Sequence, residues 1–125
     1  MTSSNFSLCL LNGQVMIDNQ LVSTNIYVDK EKISLISDKK IEASETIDCT
    51  NLTILPGVID SQVHFREPGL EGKETLSSGM LAAVAGGVTS IFEMPNTNPL
   101  TITPETIEDK LSRASKAPWS DYAFY

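Results

Sequence analysis

The order of strand-like and helix-like segments after residue 56 constrains the fold of this chain more than any other feature. A short apolar strand follows residues 56–57, and a helically spaced apolar set then ends at residues 86–87, which are both glycine. Residues 88–94 form an almost continuous apolar run, as in strands buried in parallel sheets. Residues 103–104, Thr-Pro, predict the start of a second helix, and a third strand begins at Asp121. This alternation predicts an α/β fold with parallel strands.

The first part of the chain has a different pattern. Apolar and polar residues alternate from Phe6 onward, and the Asn-Gly pair at residues 12–13 predicts a hairpin turn. Further short strand-like runs continue to residue 55. We therefore expect a small β-sandwich-like subdomain over residues 1–55, followed over residues 56–125 by two β/α units and a third strand.

The strand that opens the second part carries an unusual set of polar residues. Residues 56–69 read Pro-Gly-Val-Ile-Asp-Ser-Gln-Val-His-Phe-Arg-Glu-Pro-Gly. Alternate side chains of a strand point to opposite faces. The expected polar face consists of Asp60, Gln62, His64 and Arg66. Such a strand needs apolar packing behind it and a polar cavity in front, and an inner strand of a barrel covered by helices has both.

This segment resembles the first barrel strand of dihydroorotases, a branch of the amidohydrolase superfamily. That family opens with His-X-His, whose two imidazoles bind metal, followed two residues later by an Arg that binds the substrate carboxylate. His64 and Arg66 match the second His and the Arg. Gln62 stands where the family has its first His.

The resemblance continues beyond the first strand. Residues 94–97, Met-Pro-Asn-Thr, match the place where the family has a substrate-binding Asn after its second strand, here Asn96. Residues 86–89 and the closing residues 121–125 fit the same pattern. Because a (β/α)8 barrel typically needs ~250 residues, the resemblance implies the first part of a TIM barrel, incomplete within these 125 residues. We expect a truncated amino-terminal portion.

The resemblance also implies a reaction. Dihydroorotases hydrolyse dihydroorotate reversibly to N-carbamoyl-aspartate in pyrimidine biosynthesis, with one or two Zn²⁺ ions. The resemblance assigns metal binding to His64 and Gln62 and substrate binding to Arg66 and Asn96. The catalytic Asp of the family lies on a late barrel strand that this chain does not contain. It therefore assigns no catalytic residue here, and we expect the chain alone to be inactive.

Each candidate residue also has a simpler interpretation. Gln62 could hydrogen-bond across the barrel mouth without binding metal, because an amide oxygen is a poor zinc ligand. Arg66 could form a surface ion pair with Glu67. Asn96 could be a turn former. Glu93, which is isolated in an apolar strand, could belong to a structural ion pair or supply an oxygen donor near the mouth.

Two other functions fit the pattern. Gln62 would also suit a non-catalytic dihydroorotase-like scaffold or partner of aspartate transcarbamoylase. Hydantoinase- or allantoinase-type chemistry is a further alternative, although those relatives generally lack the counterparts of Arg66 and Asn96. We expect a small-molecule substrate carrying a carboxylate, and homo-oligomerisation is possible.

Composition limits the partners and the compartment. The chain has 9 Lys and Arg against 16 Asp and Glu, a formal charge of −7, which argues against nucleic-acid and anionic-membrane surfaces. Cys9 and Cys49 lack metal-site spacing and are expected to be buried thiols in a reducing cytosol. No signal peptide and no apolar run of transmembrane length is visible, so we expect a cytoplasmic protein.

Overall fold

The computed structural model describes residues 6–125. It divides into two compact units, and the boundary lies between Pro56 and Gly57. None of the helices in the described part of the chain is long and apolar enough to cross a membrane.

The first unit is a mixed five-stranded sheet. Its strands are β1 (Phe6–Ile17), β2 (Gln20–Asp29), β3 (Lys32–Ser37), β4 (Ala43–Asp48) and β5 (Thr53–Ile54). The order is β3-β2-β1-β4, and β5 also pairs with β1. The pairs β1/β2 and β2/β3 are antiparallel, whereas β4 and β5 both run parallel to β1.

The prediction of a hairpin turn at Asn12 and Gly13 was wrong. Strand β1 continues through both residues, with a register shift between Leu10 and Gly13 where it pairs with β2. The chain instead turns at Asp18 and Asn19, whose φ angles of 48° and 61° suit a tight hairpin turn. An Asn-Gly pair therefore marks an irregularity within a strand here, because positive φ at Asn12 also serves a β-bulge.

The expected sandwich-like layering is not observed within residues 6–56, where the strands form a single sheet. The reason is the length of β1, whose first half pairs with β4 and whose second half pairs with β5. A small core lies on this sheet around Tyr27. The Tyr27 hydroxyl donates to the Lys39 carbonyl at 2.6 Å. Cys9 and Cys49 are buried free thiols, as predicted.

The second unit confirms the predicted order of elements. It contains β6 (Val58–Val63), α1 (Leu76–Ala85), β7 (Val88–Glu93), α2 (Pro104–Ala114) and β8 (Asp121–Phe124). The three strands form a sheet in the order β6-β7-β8, and both pairs are parallel. The chain is therefore a mixed α/β protein.

Both helices begin at threonine capping boxes. The Thr75 hydroxyl accepts from the Ser78 N–H at the start of α1, and Thr103 and Thr106 make the same reciprocal contact at α2. Pro104 occupies the first turn of α2, where its missing N–H costs nothing. The predicted start of α2 is confirmed.

The helices pack on the sheet through few residues. The buried cluster consists of Phe65, Leu76, Met80, Ile91 and Ala114. A Cβ atom added at Gly79 would lie 2.5 Å from the Phe65 ring, so this glycine lets α1 approach closely. Leu81 and Val84 of α1 are apolar but lie outside this cluster, and they are 50% and 40% exposed.

Candidate functional site

Strand β6 ends at Val63, so the predicted polar face is only partly a strand face. The pairing of β6 with β7 is irregular between Asp60 and Val63, which interrupts simple side-chain alternation. Arg66 lies beyond the strand and has a φ of 76°. The prediction that strand alternation places Asp60, Gln62, His64 and Arg66 on one face can therefore apply only to the residues within β6. His64 and Arg66 lie beyond the end of that strand, and Arg66 adopts a left-handed backbone conformation.

His64 and Asn96 meet at the carboxyl ends of two neighbouring parallel strands. His64 directly follows β6, and Asn96 lies in the loop after β7. The His64 Nδ1 lies 2.7 Å from the Asn96 Oδ1. Because a side-chain carbonyl oxygen can only accept, the ring is the donor in this contact, from Nδ1.

Backbone hydrogen bonds hold the loops after β6 and β7 together. The Met94 N–H donates to the Val63 carbonyl at 2.9 Å, and the Asn98 N–H donates to the Pro68 carbonyl at 3.0 Å. At the second contact a Cβ atom on Gly69 would lie 1.8 Å from the Asn98 carbonyl oxygen. Gly69 also has a φ of 87°, so glycine is required there by both space and conformation.

The loop that carries Asn96 is further fixed from within. The Thr97 hydroxyl lies 2.8 Å from both the Pro99 carbonyl oxygen and the Thr101 hydroxyl. The Thr101 N–H in turn donates to the Pro95 carbonyl at 2.9 Å. Thr97 and Thr101 are buried, whereas Asn96 between these anchors is exposed. The motif at residues 94–97 includes Thr97 but indicated neither its supporting role nor that of Thr101.

Arg66 is half-buried and has no side-chain hydrogen bond or ion pair with any residue in 6–125. Its expected neighbour Glu67 is engaged elsewhere. One Glu67 oxygen accepts from the Leu76 N–H at 2.8 Å, and the other lies 3.4 Å from Arg113. The simple interpretation of Arg66 as the ion-pair partner of Glu67 is therefore not what the structure shows.

Arg113 connects helix α2 to the loop after β6. Its Nε donates to Asp109 at 2.7 Å, and its Nη1 lies 3.5 Å from Glu71. The Gly69 N–H, which donates to Glu71, lowers the pKa of that carboxyl. These contacts satisfy the acidic side chains of the loop, and they do not engage the Arg66 guanidinium.

Glu93 faces the helix layer of this unit. It forms an ion pair with Lys110 of α2, and both side chains are fully buried. The second Glu93 oxygen accepts from the Phe65 N–H at 3.3 Å, and Lys110 also donates to the Met94 carbonyl at 3.1 Å. Burial raises the pKa of Glu93, while Lys110 and the Phe65 N–H oppose that rise. Of the two interpretations of Glu93, the structure shows the ion pair.

Lys110 was not among the residues predicted from the sequence. Its position three residues after Ile107 and four before Ala114 places it on the apolar face of α2. A lysine on that face and an isolated glutamate in an apolar strand are the signal that could have predicted the pair.

Metal-binding groups are few at this edge of the sheet. Within residues 6–125 no group of three or more His, Cys, Asp and Glu side chains is placed to hold a metal ion. The Gln62 side chain is exposed, and its backbone N–H donates to Asp60 at 3.0 Å. His64 fits a ligand role through Nε2, but one imidazole and one amide do not make a zinc site, which needs three or four donors.

Comparisons with known proteins agree on one family. A family model described as dihydro-orotase-like matches residues 51–118. The dihydroorotase of Thermococcus kodakarensis is 40% identical over 114 residues, which cover 91% of this chain and 28% of that protein. The dihydroorotase of Methanothermobacter thermautotrophicus is 40% identical over 120 residues, 96% of this chain and 27% of that protein.

Solved structures give the same fold. An L-hydantoinase from Arthrobacter aurescens superposes with a TM-score of 0.88 at 30% identity, covering 96% of this chain and 27% of that one. A dihydropyrimidinase from Brevibacillus agri gives 0.78 at 29% identity, with coverages of 94% and 26%. The chain thus spans little more than a quarter of the length of these relatives. Because the family match extends over more than half of the chain, the chain belongs to the dihydro-orotase-like family.

Proposed function

We propose that this chain forms part of a dihydroorotase-type cyclic amidohydrolase, an enzyme that opens a cyclic amide bearing a carboxylate. The observation that carries the proposal is the pairing of His64 with Asn96 across two strand ends, beside an Arg66 that has no partner within residues 6–125. An imidazole, an amide and a free guanidinium on adjoining loops suit a metal ligand and an anion site. The dihydroorotases at 40% identity support this substrate class.

Arg66 and Asn96 are the proposed carboxylate-binding residues. A guanidinium presents a planar fork of donors that matches a carboxylate in two places. Asn96 uses its carbonyl oxygen toward His64, so its amide nitrogen retains two hydrogens for an anion. The overall charge of −7 does not oppose this role, because fields from exposed charges are screened beyond about 10 Å.

The proposed fold of the complete enzyme is a TIM barrel, to which residues 56–125 would contribute two β/α units and a third strand. His64 is the proposed zinc ligand within this chain, and Gln62 is the second candidate at the same edge. A bound zinc ion in this family supplies Lewis acidity and an activated water. Because the donors within residues 6–125 are incomplete, no catalytic step is assigned to these residues.

A second candidate is a non-catalytic scaffold that associates with aspartate transcarbamoylase or with further copies of the chain. The observation that favours it is Gln62, whose exposed amide replaces an imidazole and makes no side-chain hydrogen bond to residues 6–125. A scaffold needs no metal, so Gln62→His should not change its partner binding. In an enzyme the same change should strengthen zinc binding, measured by calorimetry.

The substrate class can be tested by comparing two ligands that differ only in the carboxylate. Dihydroorotate and dihydrouracil share the same ring, and only the first carries the anion. Titration of the 125-residue chain followed by amide NMR shifts should show dihydroorotate binding at residues 64–69 and 94–99. Dihydrouracil should bind at least tenfold more weakly, a difference of about 1.4 kcal/mol.

Equal binding of both ligands would overturn the carboxylate assignment and favour hydantoinase-type chemistry on an uncharged ring. Lys73→Met is a suitable control, because Lys73 is an exposed cation in the loop before α1. Its removal tests whether any nearby positive charge suffices. The proposal expects the preference for dihydroorotate to survive in this variant.

A further inference from the structure

We infer that Asn96 is a positioning residue for His64, whose imidazole it holds in the Nδ1–H tautomer so that the lone pair of Nε2 stays free. The role of that lone pair toward a metal rests on the proposed function, but the tautomer itself does not. Asn96 would then connect two tasks, because its carbonyl fixes the imidazole while its amide hydrogens remain available to an anion.

The hydrogen bond has the geometry that this role needs. The separation of 2.7 Å between His64 Nδ1 and Asn96 Oδ1 is at the short end of the range for N–H···O bonds. The oxygen can only accept, so the ring must donate. A free imidazole in water favours the other tautomer, with the proton on Nε2, and the Asn96 contact is therefore what selects Nδ1–H.

The alternative role of Asn96 as a turn former does not match its contacts. An Asx turn would place its side-chain oxygen on a backbone N–H two residues later. Within residues 6–125 the Asn96 side chain instead hydrogen-bonds only to His64, 32 positions earlier in the chain. The turn is held without it, by Thr97 and by the backbone contact between Asn98 and Pro68.

The orientation of the Asn96 amide and the tautomer of His64 are coupled. If the amide were rotated by half a turn, its NH₂ group would face His64 and the ring would have to accept at Nδ1. Nε2 would then carry the proton and could not bind a metal. One hydrogen bond thus decides both which imidazole nitrogen is free and which end of the amide faces a ligand.

The chain offers a direct measurement because His64 is its single histidine. Long-range ¹H–¹⁵N correlation spectra of the metal-free, ligand-free 125-residue chain report the tautomer without ambiguity. They should be recorded at alkaline pH, where the ring-nitrogen shifts distinguish the two neutral tautomers. Wild type should give the Nδ1–H pattern.

Three variants separate the roles of Asn96. Asn96→Asp keeps an acceptor for the ring, so it should retain the Nδ1–H pattern while losing at least tenfold in dihydroorotate affinity. Asn96→Ala removes the acceptor and should return His64 to the Nε2–H pattern. Asn98→Ala, in the same loop, is the matched control and should leave the wild-type spectrum unchanged.

An Nε2–H pattern in wild type, or an unchanged pattern in Asn96→Ala, would overturn the inference. Because the tautomer is read without metal or substrate, this failure is distinct from failure of the proposed function. A chain with the Nδ1–H pattern that ignores dihydroorotate would retain the positioning role and reject the substrate. If Asn96→Ala loses its native amide spectrum, Asn96→Ser, with its shorter hydroxyl, takes its place with the same expected tautomer change.

Discussion

At the scale of single residues, the backbone at Arg66 is the least expected feature of the candidate site. A φ of 76° places a long side chain in the left-handed region, which costs a non-glycine residue roughly 1–2 kcal/mol. Two hydrogen bonds hold this turn. The Leu70 N–H donates to the Arg66 carbonyl, and the Leu76 N–H donates to the Glu67 carboxylate. Backbone strain is common at binding sites, so the strained turn and the unpaired guanidinium together support a binding role for Arg66.

The strain at Arg66 predicts that glycine stabilises the fold there. We expect Arg66→Gly to be more stable than Arg66→Ala by about 1 kcal/mol, because glycine adopts positive φ without a steric cost. Urea unfolding of the two variants measures the difference, and both lose the guanidinium equally. Equal stabilities, or a more stable alanine variant, would show that the turn is not strained.

The motifs shared with dihydroorotases predicted four candidate residues, His64, Arg66, Asn96 and Gln62. The structure brings His64 and Asn96 together. The sequence could not show how Arg66 is placed, because strand alternation does not describe a residue in a left-handed turn. Nor could it show Asn96 accepting from His64, since a contact over 32 positions depends on strand pairing. The roles of Gln62, Arg66 and Asn96 in binding stay predictions.

At the scale of elements, the Glu93–Lys110 ion pair joins β7 to α2. Both side chains are fully buried, so removing either one leaves an uncompensated charge. We expect Glu93→Gln and Lys110→Met each to cost about 3 kcal/mol of unfolding free energy. The double variant should cost less than the sum by at least ~1 kcal/mol.

Urea unfolding of the four proteins in this cycle measures the coupling. The pair of Asp109 and Arg113 on the same helix, whose side chains are 52% and 35% exposed, is the control, for which ~0.5 kcal/mol or less is expected. A Glu93–Lys110 coupling as small as that of the control would mean that water reaches the pair, and the assignment would fail.

The close packing of α1 on the loop after β6 predicts an unusual response to alanine. Gly79→Ala would raise helix propensity by about 1 kcal/mol but would push a Cβ atom into the buried Phe65 ring. We expect a net loss of about 1–3 kcal/mol in thermal unfolding experiments. Gly72→Ala, where an added Cβ meets nothing within 4 Å, is the control and should be close to neutral. A Gly79→Ala variant as stable as wild type would contradict the packing account.

Sequence reasoning placed the elements of the second unit well, because Thr103, Pro104 and Gly87 are local signals that act within one turn. It misplaced the first hairpin because an Asn-Gly pair can form either a turn or a bulge. Strand β2 decides between them here, because β1 pairs with it on both sides of Asn12. The burial of Lys110 was not predicted for a related reason, because it depends on Glu93 in another element.

At the scale of the whole molecule, the chain exposes much apolar surface. In the second unit Val58 and Ile59 are 54% and 62% exposed, and Trp119 is 54% exposed. Surfaces of this kind normally mark contacts with other protein. The chain spans little more than a quarter of the length of its relatives.

We expect the 125-residue chain alone to show no hydrolysis of dihydroorotate. A zinc site needs three or four donors, and residues 6–125 contain no cluster of three metal-binding side chains. The measurement is a coupled assay of N-carbamoyl-aspartate formation with added Zn²⁺. Turnover by the pure chain that disappears in His64→Ala would contradict this expectation.

Arg66 and Asn96 are proposed to bind one carboxylate together, and a double-variant binding cycle can measure whether they do. Dihydroorotate affinity would be measured by NMR titration for wild type, Arg66→Lys, Asn96→Ala and the double variant. Two residues that hold the same anion should lose affinity non-additively, with a coupling of at least ~0.5 kcal/mol. If the losses in binding free energy of the two single variants simply add, or if either single variant binds dihydroorotate as tightly as wild type, the two residues do not share one carboxylate.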